Sequence, residues 1–149
     1  QVTYRNVWEV ANTLEPLCAQ LAAERINDAE LAQLEANLQH TAKLVEKGES
    51  PIAATIEFQS LIAEATHNQV LLLARAPVSL LMLSGYATIA PALPQSGPRL
   101  LQAHRHVFES LQRHDAESAV SWTRKHLADH RRGFEVAGLD FDSVIPEPK

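Results

Sequence analysis

The stretch from Leu100 to His130, LLQAHRHVFESLQRHDAESAVSWTRKHLADH, constrains the fold most, because its apolar residues recur at helical spacing with histidines standing among them. It reads as two helices broken near His114-Asp115. On the first, Leu100, His104, Val107, Phe108 and Leu111 share one face, while Arg105, Glu109 and Gln112 fall opposite. On the second, Ala119, Trp122, Thr123, His126, Leu127 and His130 trace a similar stripe, with Glu117, Arg124, Lys125 and Asp129 mostly outside it. His104 and His126 therefore read as buried, and His130 sits one turn beyond His126. A buried polar group without a partner costs ~1–3 kcal/mol, so a shared polar centre explains these side chains better than scattered accidents do.

The same periodicity runs through the rest of the chain. From Tyr4 to about Ile26, Val7, Val10, Ala11, Leu14, Leu17, Cys18, Leu21 and Ala22 recur at helical spacing, and Pro16 is expected to kink that helix. Asn27 is placed to cap a second helix with acids in its first turn, Leu31, Leu34, Leu38, Ala42 and Val45 inside, and Gly48 at its end. Ser50-Pro51 reads as an N-cap followed by a first-turn proline, opening a third helix to about Thr66. Its inward positions are Ile52, Thr55, Ile56, Gln59, Ile62 and Ala63. After Asn68 comes a long apolar helix, QVLLLARAPVSLLMLSGYATIA, which Pro77 and Gly85 are expected to bend or divide. Pro91, Pro94, Gly97 and Pro98 mark a loop, and Gly138 to Lys149 a packed or frayed tail. With no strand, repeat or low-complexity tract, the fold class is all-α: one domain over residues 1–149, an antiparallel bundle of six or seven helices.

Composition narrows the function classes. A chain of 149 residues, 46% hydrophobic and 21% charged, can bury a real core. Its 13 basic and 18 acidic residues leave a net charge of −5, which argues against a surface that grips phosphate backbones. No run approaches the ~18 consecutive apolar residues of a membrane span, and QVTYRNVWEV is no signal peptide, so a soluble cytoplasmic protein is expected. The chain begins with Gln, so it reads as part of a longer protein. Its single cysteine, Cys18, excludes an internal disulfide and reads as a buried thiol.

Inward polar groups come from three helices: Thr55 and Gln59, then His104, then His126 with His130 as an outlying member. Three readings are open. Each histidine could be a core residue satisfied by a carbonyl or water. His126 and His130, spaced i, i+4, could meet one ion, as in a helical metal-binding protein or metalloenzyme using His104, His126 and His130, but no Asp, Glu or Cys stands on the matching faces. The imidazoles could also be the polar hooks of a ligand pocket. His40, His67, His106 and His114 fall at helix surfaces or ends. Glu15, Glu24, Glu57 and Glu64 read as solvated or capping. No nucleophile motif or glycine-rich phosphate loop is present, and Ser84-Gly85 lacks the strand-turn-helix setting of a hydrolase elbow, so nothing demands an enzyme.

The order of segments WEVANTLEPLCAQLAAERI, EFQSLIAEATHNQVL, AHRHVFESLQRHDAESAV and RKHLADH resembles the FCD class of ligand-binding domains in bacterial GntR-family transcription regulators, over nearly the whole chain. Glu15-Pro16, Phe58, Ala65, Asn68, His104, Asp115, Ala119, His126 and Leu127 agree with the family pattern. Many members hold a divalent metal with one Asp and three His; here the Asp position is Thr55 and the first His position Gln59, leaving His104 and His126. The family's effector-facing arginine on the first helix is Ala11. The resemblance implies an effector-binding and dimerisation domain in which Thr55, Gln59, His104 and His126 contact a small molecule directly, without a metal cofactor. It further implies a homodimer that reaches DNA only through a winged-helix domain preceding Gln1, and no membrane partner.

Overall fold

The computed structural model describes residues 1–147; the end of the expected tail, residues 148–149, lies outside the described residues. Six α-helices follow one another: α1 (Tyr4–Arg25), α2 (Asp28–Glu46), α3 (Ile52–Ala65), α4 (Gln69–Ile89), α5 (Ser96–Gln112) and α6 (Ala116–Val136), with a 3-10 turn at Ala90–Ala92. Among the described residues there is no strand, only an isolated bridge that ties Thr3 to Val144. The expected all-α bundle is what the chain forms.

Local chemistry sets the helix boundaries. At α2 the Asn27 side chain accepts from Glu30 N while Glu30 reaches back to Asn27 N, so two orphan donors are satisfied reciprocally, and Gly48 takes a left-handed φ of +69° past the other end. Asn68 and Asp115 cap α4 and α6 by accepting from Leu71 N and Ser118 N. His67 and His114 also adopt positive φ, +52° and +51°, just past α3 and α5. Both are anchored there, His67 to Glu30 at 2.9 Å and His114 to Ala23 O at 2.9 Å, so these two imidazoles serve helix ends.

Several sequence expectations are corrected. Pro16 does not interrupt α1, nor do Pro77 and Gly85 divide α4; each helix is continuous as assigned. Pro51, not Ser50, is the residue at the N-cap of α3, and it makes no side-chain cap bond. The expected loop at Pro91–Pro98 contains the 3-10 turn, and α5 begins within it, with Gly97 and Pro98 in its first turn. The segment Gln69–Ala92 is, by length and composition, apolar enough to cross a membrane, contrary to the expectation that none would be. Here α4 packs on α1 and α3 and turns its one charged side chain, Arg75, inward.

Two apolar clusters fill the bundle. One joins α1, α2, α3 and α5 around Leu34, Phe58 and Leu111. The other joins α1, α4, α6 and the tail around Tyr4, Phe134 and Phe141. The tail is packed, with Phe141 and Ile145 buried. His104 stacks on Phe58 from the first cluster, and His130 meets Phe134 of the second edge-on, so the polar centre lies at the seam between the two.

Candidate functional site

A chain of polar side chains threads this seam. At one end Arg75, 2% exposed, lies with Nε 2.8 Å from Glu15 Oε1, an ion pair whose angle falls short of a hydrogen bond, while its Nη2 donates to Gln59 Oε1 at 3.0 Å. At the other end the Tyr86 hydroxyl meets His126 Nε2 at 2.9 Å. His126 is flanked by His104, ring centres 5.4 Å apart, and Tyr86 by His130 at 4.4 Å. Glu15 is thus not solvated or capping: α1 presents it to the core, where it is the counter-ion of Arg75, and burial pushes its carboxyl pKa up against the pull of that guanidinium.

The three imidazoles are neutral at pH 7. Burial pushes His104 well below its usual range, with His126 adding to the effect; it also takes His126 to about 4 and His130 to about 3. Burial likewise raises the Tyr86 phenol, which keeps its proton. Tyr86 OH and His126 Nε2 share a hydrogen bond that either can donate; where Tyr86 donates, the imidazole carries its own proton on Nδ1. Among the described residues that Nδ1 has no hydrogen-bond partner. Both nitrogens of His104 and Nδ1 of His130 are buried without partners.

A cavity of about 130 Å³ opens beside this network, between α4, the 3-10 turn, α5 and α6. Tyr86, His126 and His130 form its polar end, and Ile89, Leu93 and Leu100 belong to its apolar wall. A more open groove of about 340 Å³ runs along α5 and α6 on the other side of His126. Of the residues singled out from sequence, His126 lines both spaces, half-buried where full burial was expected. His104 stands behind it. Thr55 is buried, but its hydroxyl donates to Pro51 O at 2.9 Å, and Gln59 is held by Arg75; neither lines the cavity. His130, outlying in the sequence reading, is a cavity residue and 6% exposed.

Arg75 and Tyr86 escaped the sequence reading. A signal for Arg75 existed: it shares the spacing of Leu71, Ser79, Met82 and Ile89, all buried on α4. Tyr86 follows the same helix to the cavity.

The donor set does not fit a metal. Among the described residues no three His, Cys, Asp or Glu come together. Gln59 Oε1 already faces a guanidinium, whose charge would oppose a dication, and His126 Nε2 is engaged by Tyr86.

The chain is thus a six-helix bundle, among its described residues, with a small cavity beside buried imidazoles. Residues 6–129 match the FCD domain, and the chain belongs to that family. It is 28% identical over 124 residues to the galactonate operon transcriptional repressor of Escherichia coli (strain K12), covering 83% of this chain and 54% of the relative. The chain thus spans about half the length of that curated relative. It also superposes on Streptococcus agalactiae GntR with a TM-score of 0.66 at 23% identity, covering 87% of this chain and 58% of the other, which shows a shared fold. The relative from Escherichia coli is by name a transcriptional repressor.

Proposed function

We propose that the chain is the effector-sensing domain of a bacterial GntR-type transcription regulator working in the cytoplasm. A small metabolite enters the cavity beside His126, and its binding biases the arrangement of a DNA-binding domain of winged-helix type that precedes Gln1 in the whole protein. The observation that carries this reading is the cavity itself, closed at its polar end by Tyr86, His126 and His130. The His126 and His130 rings at the cavity, with Nδ1 of His130 unpartnered, are hydrogen-bonding capacity that a ligand would use. The helix α1 carries the response, because it packs on α4 and α6 beside the cavity and starts where the chain leads back to the preceding domain. A ligand shifts the DNA-binding equilibrium only by its differential affinity for the two arrangements.

The expected Thr55–Gln59–His104–His126 set is refined in this proposal: His126 touches the ligand, His104 supports it from behind, and Tyr86 and His130 complete the contact. The domain works without a metal; stoichiometric metal in protein purified without added ions would overturn that part.

The test is a thermal-shift screen of organic and sugar acids, galactonate included. A ligand at 100 times its Kd stabilises by about 2.7 kcal/mol, or roughly 5–11 °C in Tm for a chain of this size. A hit must also change the DNA affinity of the longer protein and lose affinity when His126 is replaced by Ala. Unaltered binding in the His126→Ala and His104→Ala variants refutes the site.

A further inference from the structure

Side chains from four helices, α1, α3, α4 and α6, form one run of polar contacts, and its direction is set at the charged end. A guanidinium has donors and no acceptor, so Arg75 can only donate. Its Nη2 donates to Gln59 Oε1 at 3.0 Å while its Nε lies 2.8 Å from Glu15 Oε1, which holds the buried cation between an amide on α3 and a carboxylate on α1. With its oxygen committed to Arg75, the Gln59 amide turns its N–H groups the other way.

Tyr86 on α4 is next in the run. Burial raises its phenol pKa, the Glu15 charge adds to that, and a side-chain hydrogen bond with Gln59 acts in the opposite sense, as a donor to the phenol oxygen does. The proton of Tyr86 is then free for His126 Nε2, 2.9 Å away on α6. In the reverse arrangement Nε2–H and the Gln59 amide both point at the phenol oxygen, and the phenol proton has no acceptor in the run. An unmade hydrogen bond of this kind disfavours that arrangement roughly tenfold or more. Burial, opposed by Asp129, keeps His126 neutral down to about pH 4, so the ring carries one proton, and the bond made by one nitrogen decides where it sits.

We infer that Arg75, acting through Gln59 and Tyr86, is a positioning residue that pins His126 in the Nδ1–H tautomer with Nε2 as acceptor. Arg75 lines neither the cavity nor the groove, whereas His126 lines both. What that ring can offer beyond Tyr86 is therefore an N–H and not a lone pair. On the effector-binding reading above, on which this consequence rests, a group that meets His126 is selected for accepting a hydrogen bond. The tautomer itself rests only on the contacts between the four helices.

The test is a two-bond proton–nitrogen correlation spectrum of the isotope-labelled chain at neutral pH, which distinguishes the two tautomers of each neutral imidazole, with the His126 peaks identified by their loss in His126→Gln. In the wild type the Nδ1–H form of His126 is expected to exceed the Nε2–H form roughly tenfold or more. Tyr86→Phe removes only the relaying hydroxyl, and the preference is expected to fall several-fold. In Glu15→Gln combined with Gln59→Glu the carboxylate moves from α1 to α3 beside the same guanidinium, net charge is unchanged, and position 59 becomes an obligate acceptor. Tyr86 then donates to position 59 and accepts from His126 Nε2–H, so the tautomer is expected to invert. Gln59→Leu, which leaves Arg75 paired with Glu15, is expected to lower the wild-type preference several-fold and tests the charged end if the double variant does not fold. A wild-type ring in the Nε2–H form overturns the inference, as does a wild-type tautomer ratio in Tyr86→Phe. A double variant that melts cooperatively yet keeps Nδ1–H, or a wild-type ratio in Gln59→Leu, overturns the part given to Arg75 and Gln59. No ligand enters these spectra, so their failure leaves the sensing reading standing, and an empty ligand screen leaves the tautomer standing.

Discussion

The buried imidazoles make this domain sensitive to mild acid. His104 and His130 are 2% and 6% exposed, and burial holds both neutral in the folded chain, His130 to about pH 3. In the unfolded chain each titrates near its ordinary value of about 6.5. A histidine whose folded pKa is depressed contributes fully above the unfolded value and loses that contribution as pH falls below it, because the unfolded chain takes up the proton first. From pH 6.5 to pH 5 each costs about 2 kcal/mol, taken as 1.36 kcal/mol per pH unit, so the pair costs about 4 kcal/mol and lowers Tm by roughly 8–16 °C. His126, half-buried, adds in the same direction with Asp129 moderating it. Glu15, raised by burial, protonates earlier in the folded chain and offsets part of the loss at the acid end. Thermal melts followed by circular dichroism between pH 7.5 and 5 measure the slope, and His104→Leu and His130→Leu should each remove about half of the effect assigned to the pair. A Tm that is flat across this range, or an unaltered slope in both variants, refutes the argument.

Removing Arg75 while leaving Glu15 in the core strands a buried carboxyl, so Arg75→Met should destabilise by about 3–5 kcal/mol in urea denaturation, and Glu15→Gln in the same chain should recover part of it. A Cβ at Gly85 would come 3.0 Å from His130 Cε1 and Nε2, so Gly85→Ala should cost about 1–3 kcal/mol and weaken any ligand that binds the cavity. We propose that α4 forms the dimer interface: its outer face carries Val70, Leu73 and Leu80 at 76, 72 and 62% exposure, with exposed Ala74, Pro77 and Leu81 between them and no charge. Leu73→Asp with Leu80→Asp should therefore convert a dimer to a monomer in sedimentation, and a wild-type chain that is monomeric at all concentrations refutes the assignment.

Much of the fold was legible because the chain's local and periodic signals agree. Asn27 with Glu30, the glycine at 48, and Asp115 before an amphipathic run each place a helix end by chemistry confined to a few residues. The prolines at 16 and 77 end neither helix, since α1 and α4 run unbroken through them. At the site, the stripe containing His104 and His126 was visible from spacing alone. Glu15, Arg75 and Tyr86 were not combined with it, because they sit on α1 and α4 and become neighbours only where those helices cross.

The sequence by itself determined most of the helices, the cap of α2 and the burial of His104 on α5, because these follow from the rotation per residue and from groups within one turn of each other. Tertiary structure decided which buried groups satisfy one another. It spent Thr55 on the Pro51 carbonyl and Gln59 on Arg75, turned His130 into the cavity and left His126 between two spaces. Those outcomes depend on the angles and offsets between packed helices, which residue spacing within any one helix does not encode.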